Sequence, residues 1–111
     1  MTAYAIAHLQ DVDLGPEIVD YIRRIDATLA PFGGRFVIHG STPEIVEGPW
    51  PGNLVVIAFP DMAKARSWYD SPDYQAILPL RTDNSRSVAM LVEGVANDYR
   101  AGDFLAKAGF A

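Results

Sequence analysis

The chain has no cysteine, only two histidines, and no apolar run long enough to cross a bilayer. Without cysteine there are no disulfides, no thiolate chemistry and no Cys-based zinc centre. His8 and His39 would need a third ligand to make a metal site, and none is evident, so neither a metal nor a cofactor is expected. Positive charge is also scarce: 9 Lys and Arg stand against 14 Asp and Glu, giving a net charge of −5. That balance argues against nucleic acid as a partner, because phosphate binding needs a clustered basic surface. A membrane helix needs about 20 apolar residues, so no membrane partner is expected. The start Met1-Thr2-Ala3-Tyr4 carries neither a basic segment nor a long apolar one, and the expectation is a cytoplasmic protein.

What is present is an ordinary globular composition, with 50% apolar and 21% charged residues in a chain of 111. That length suits one hydrophobic core. Ala3 to Leu9 reads as a strand, with Tyr4, Ile6 and His8 on one face and Ala5, Ala7 and Leu9 on the other. Pro16 is well placed to open a helix, on which Ile18, Ile22, Ile25 and Leu29 recur at helical spacing beside Tyr21. Pro31 and Gly33-Gly34 stop it. Arg35 to His39 is a second strand, and Glu44 to Glu47 has the composition of a short extra one. Asn53 to Phe59 is the strongest strand, apolar without alternation from Leu54 onward, as expected for burial on both faces. Asp61 caps a helix to about Asp70, and Ser71 caps the next with Pro72 at its first position. Pro79 should kink or restart that helix. Ser87 to Val95 is the last core strand.

The order strand-helix-strand-strand-helix-strand is the ferredoxin-like βαββαβ pattern of the α+β class: a four-stranded antiparallel sheet with its helices on one face. Residues 1–96 form this domain, and 97–111 read as a C-terminal extension, with a short helix carrying Tyr99, Phe104, Leu105 and Phe110. Two helices cover only one face of such a sheet. The strands do not alternate cleanly, so the other face needs cover as well. A second copy of the same sheet is the simplest cover, giving a homodimer through sheet faces; a tail folded back over the face is the competing solution.

Several local motifs together resemble a known family. They are Tyr4-Ala5-Ile6-Ala7, Pro31-Phe32-Gly33-Gly34-Arg35-Phe36, Glu47-Gly48-Pro49-Trp50-Pro51 and Leu54-Val55-Val56-Ile57-Ala58-Phe59-Pro60. The centrepiece is Ala65-Arg66-Ser67-Trp68-Tyr69-Asp70-Ser71-Pro72-Asp73-Tyr74-Gln75, followed by Leu80-Arg81 and Val92-Glu93-Gly94. The chain resembles the bacterial domain of unknown function 1330 family, within the dimeric α/β-barrel superfamily. The resemblance implies a protomer that pairs sheet to sheet, and no particular activity. The superfamily spans cofactor-free monooxygenases, haem-degrading enzymes, lactone isomerases and plain binding modules, so function does not follow from the fold. Thr82-Asp83-Asn84-Ser85 is more turn-like than the family's usual helical continuation, and the tail after Val95 has no counterpart there.

Five residues are candidates for a ligand site. Trp68 and Tyr69, about a hundred degrees apart on one helix, each join a large apolar body to a polar tip; one should pack inward while the other borders a cleft or the partner. Arg35 and Arg81 are alternative anchors for a carboxylate, whose geometry the planar guanidinium matches. By strand parity Arg35 and His39 share a face, with Glu47 near enough in sequence to pair with either. His39 is the weak catalytic candidate, because its ordinary pKa suits proton transfer near neutrality. The bland alternatives are a structural ion pair for Arg35 and a stapled helix corner for the two aromatics. The expected function is binding of a small organic acid or aromatic between helices and sheet. A cofactor-independent enzyme of monooxygenase or isomerase type, and an interaction module without a ligand, are the alternatives.

Overall fold

A computed structural model of the chain describes residues 1–110. Its elements are β1 (Ala3–Gln10), α1 (Pro16–Leu29), a 3-10 turn (Ala30–Phe32), β2 (Arg35–Ile38), β3 (Asn53–Phe59), α2 (Met62–Tyr69), α3 (Pro72–Thr82), β4 (Arg86–Glu93) and α4 (Ala101–Lys107). The four strands form one antiparallel sheet in the order β2-β3-β1-β4, the ferredoxin-like arrangement.

Register assigns each strand residue to a face. Ala5 lies opposite both Ile57 and Leu91, and Phe36 lies opposite Ile57. This row faces the helices, where Ala3, Ile57 and Phe59 join Ile25 and Leu29 of α1, Ala65 and Trp68 of α2, and Tyr74 and Ile77 of α3 in one buried core. Two residues per turn of an amphipathic helix are enough to build such a layer.

The corner between α2 and α3 is set by local capping. Asp61 accepts the Lys64 N–H at 2.8 Å at the start of α2. The Ser71 hydroxyl donates to the Trp68 carbonyl (2.7 Å) and accepts the Tyr74 N–H (3.2 Å), so it closes α2 and opens α3 at once. The exit from α1 depends on two glycines for different reasons. Gly33 has φ +70°, the left-handed region that side chains avoid. A Cβ on Gly34 would stand 2.7 Å from Phe59 Cε1, so only glycine allows the chain to pass that ring.

Three sequence expectations are corrected. Residues 44–47 are not a strand; the whole stretch from 39 to 52 is irregular. α3 runs through Pro79 without interruption. Pro79 and Gln75 are both exposed, so water can solvate the carbonyl that Pro79 leaves without its helical donor. The helix then ends at Thr82, where Asn84 Nδ2 donates to the Leu80 carbonyl (2.9 Å) and the Ser85 hydroxyl to the Arg81 carbonyl (2.7 Å). The third concerns β2. Its register with β3 slips between Phe36 and Ile38, an extra residue that flips the side chains beyond it. Arg35, opposite Ala58, therefore lies on the face away from the helices, while His39 turns back and stacks on Phe36 with ring centres 4.7 Å apart. Parity fails there, and Glu47 forms no ion pair with either residue among the described residues.

The second face of the sheet is apolar and open. Ile6 is flanked by Val56 and Met90, and Val88, Met90 and Val92 are 68%, 58% and 40% exposed. At one end of this face His8 stacks on Trp50 at 4.9 Å and its Nε2 bonds the Pro51 carbonyl, tying the loop to β1. The C-terminal arm does not cover it: every residue of α4 is exposed, Phe104 and Leu105 included. No helix among the described residues is long and apolar enough to cross a membrane.

Candidate functional site

The helix-facing side of the sheet is not fully packed. β1 offers Ala5 and Ala7, and β4 offers Ala89, at positions where larger residues would meet the helices. Their small side chains leave a cavity of about 520 Å³ between the sheet and the helices. That volume is within the range of small-molecule sites. Trp68, Tyr74, Ile18, Ile25 and Arg81 are buried at its inner wall, whereas Ile22, His39, Asn53 and Arg66 are exposed at its rim.

Four of the five candidate residues border this cavity: His39, Trp68, Tyr69 and Arg81. Arg35 does not, because the register places it on the opposite face. Trp68 is chiefly a core residue. Its ring packs against Phe59 (5.3 Å) and Tyr74 (4.0 Å), and its Nε1 donates to the Thr28 hydroxyl at 3.0 Å. Its polar tip is thus satisfied within the protein. Tyr69 is half-buried, packs edge-on to Trp68 at 6.2 Å, and is the more available of the pair.

Arg81 is the unusual member. It is 6% exposed, yet no carboxylate pairs with it among the described residues, where the ion pairs are Arg24–Asp20 and Arg86–Asp11. Its Nη1 donates to Ser87 Oγ at 2.6 Å, and its guanidinium carbon lies 6.0 Å from the Tyr21 ring centre. Beside it the Tyr21 and Tyr74 hydroxyls share a hydrogen bond of 2.8 Å. Burial, aided by Tyr74, pushes the Tyr21 hydroxyl above tyrosine's ordinary value of 10, so it remains a neutral donor. Burial opposes the Arg81 charge, but the Tyr74 and Tyr21 oxygens outweigh it and hold the guanidinium above its ordinary pKa. A lone buried cation is costly without an anion. The cavity wall contains no Asp or Glu at all, although the chain has 14.

In the sequence Tyr21 stands only beside the apolar stripe of α1 and Tyr74 only within the motif that runs to Gln75; their meeting across α1 and α3 depends on tertiary packing. The alanines were readable as one face of β1, and a row of small residues there is the available sign of unfilled space. No group of three or more His, Asp or Glu residues that could hold a metal occurs among the described residues.

The fold and this cavity define a ferredoxin-like α+β protein with a basic, partly buried chamber between helices and sheet. Residues 2–95 match the domain of unknown function DUF1330, and the chain belongs to that family. No curated protein matches the sequence. Among solved structures, a protein of unknown function from Rhodopseudomonas palustris, RPA0582, is similar at 15% identity and TM-score 0.63, over 86% of this chain and 83% of that one. A dimeric ferredoxin-like protein of unknown function from Jannaschia sp. CCS1 is similar at 13% identity and TM-score 0.63, over 85% of this chain and all of that one. SnoaB, a cofactor-independent oxygenase from Streptomyces nogalater, is similar at 16% identity and TM-score 0.54, over 89% and 96% of the two chains. At these identities the likeness is one of fold.

Proposed function

We propose that this chain is a homodimeric binding protein for a small organic acid, held in the cavity with Arg81 as its anchor. The observation that carries the reading is Arg81 itself: a buried guanidinium facing a cavity without a counter-ion. A ligand carboxylate would supply the missing charge in a geometry that guanidinium favours. Tyr69 and the buried Trp68 would provide aromatic wall. A thermal-shift screen against organic acids tests this, because a specific ligand stabilises the native state by mass action. The expected result is saturable stabilisation by some acids that neutral analogues of the same shape do not produce. Stabilisation by none of them, or equally by the neutral analogues, would sink the reading.

The dimer half rests on the open sheet face. Val88, Met90 and Val92 are too exposed for a comfortable monomer surface, and a second copy of the same face would bury them. The dimeric protein from Jannaschia shares the fold, which supports this arrangement.

A second reading, a cofactor-independent enzyme, draws on His39. It borders the cavity at the rim rather than lying in a solid core, where it could carry a proton to or from a bound molecule. Conversion of a bound acid that His39→Gln abolishes without weakening binding would establish it; binding without any turnover leaves the chain a binding protein.

A further inference from the structure

Resting on the binding reading above, we infer the class of acid: an elongated, planar monocarboxylate that enters carboxylate first and reaches across the sheet toward His39. Three features of the cavity lead there.

The first is a charge count. Arg81 is the sole buried cation on the wall; Arg66, the other cation, is exposed at the rim. One buried positive charge is balanced by one negative charge. A second anionic group beside the first would be buried without a partner, which is costly.

The second is the donor set at the inner end. Arg81 Nη1 is held by Ser87 and the guanidinium also interacts with the Tyr74 and Tyr21 hydroxyls, so a ligand carboxylate would share the N–H groups that Ser87 does not take. In the Tyr21–Tyr74 pair one hydroxyl donates to the other, so one hydroxyl proton is left to give away. The guanidinium offers only donors, and the spare tyrosine proton adds one more. A carboxylate answers them with two acceptor oxygens and a negative charge; an amide brings one acceptor, no charge and donors of its own, and an amine is a cation. The tyrosine pair thereby becomes a specificity element for the acid.

The third is shape. Arg81 and Ser87 lie at the β4 side, while His39 follows β2, and these are the two outer strands of the sheet. Three inter-strand steps amount to roughly 14 Å. Between them the floor is low over Ala89, Ala7 and Ala5, then carries the side chains of Val55 and Ile57 on β3, and α1 forms the roof. A long slot, low over the alanines and walled by Phe36, Tyr69 and Trp68, takes a planar ring system better than a branched or globular one.

Calorimetric titration tests the inference with 4-hydroxycinnamate and biphenyl-4-carboxylate as elongated planar acids. Cyclohexanecarboxylate, phthalate, inorganic phosphate and the cinnamamide analogue are the comparators. The expected order has the planar monocarboxylates at least tenfold tighter than every comparator. Tyr21→Phe should weaken them several-fold while leaving the weak cyclohexanecarboxylate binding above that of the amide. Tighter binding of phthalate or phosphate overturns the charge count but leaves an acid-binding cavity; tighter cyclohexanecarboxylate overturns the planar slot alone. Amide binding equal to the acid's, or no binding by any acid, overturns the anchor and with it the underlying reading. Tyr74→Phe guards against misfolding of the first variant, since removing either hydroxyl should have the same effect on affinity.

Discussion

Tyr21 and Tyr74 join α1 to α3 through a hydroxyl–hydroxyl hydrogen bond of 2.8 Å, with the Arg81 guanidinium carbon 6.0 Å from the Tyr21 ring centre. This contact is at once a brace between two helices and the polar end of the cavity. Structure and recognition meet in the same few atoms.

Its structural share can be measured by pH. Burial holds the Tyr21 proton in the folded chain at a pH where the unfolded chain has released it, above tyrosine's ordinary value of 10. The folded pKa is raised, so this contribution is complete below pH 10 and is lost as pH rises beyond it. Urea unfolding at rising pH should show wild-type stability falling above that point more steeply than in Tyr21→Phe. At neutral pH the same variant should be about 1 kcal/mol less stable, the usual worth of one hydrogen bond.

Arg81 makes the opposite prediction. A buried charge without a partner contributes little to the ligand-free fold, and neutral replacements at such sites are often tolerated or stabilising. Arg81→Gln, which keeps a donor for Ser87, should melt no lower than wild type while losing acid binding. A fall of about 3 kcal/mol or more, the scale of breaking a structural buried pair, would mark the arginine as an architectural residue.

The alanine floor can be filled. Ala7→Leu places three more carbons where the chain leaves space, so the variant should gain about 1 kcal/mol, as cavity filling commonly does. It should also lose acid binding altogether. Differential scanning calorimetry with and without acid reads both effects.

The open sheet face is tested by charge. Met90 is 58% exposed and lies opposite Ile6 at the centre of that face. Met90→Glu should convert a dimer into a monomer in light scattering at micromolar concentration, with the monomer still folded by circular dichroism. A wild-type chain that is already monomeric there contradicts the sheet-to-sheet pairing.

Much of this was legible in the sequence, because the signals were local. Asp61 and Ser71 act as caps where their spacing places them, and the unbroken apolar run of β3 is buried from Val56 to Phe59, residues of both faces. The losses share one cause, that they depend on neighbours distant in the chain. Strand parity put Arg35 beside His39, but a single extra residue between Phe36 and Ile38 separates them by a whole face. Arg81 stood beside Arg35 as a candidate anchor, and only folding separates them, by burying Arg81 with no carboxylate partner among the described residues. Tyr21 and Tyr74 are 53 residues apart and carry no pattern that announces their contact.

The most direct test of the central claim is a crystal structure of the protein soaked with the tightest-binding acid from the titration panel. The carboxylate should lie within hydrogen-bond distance of the Arg81 guanidinium, under α1, with the rest of the molecule over Ala5 and Ala7. The acid bound instead at Arg35, at Arg66 or elsewhere on the surface, with the cavity beside Arg81 occupied only by water, would contradict it.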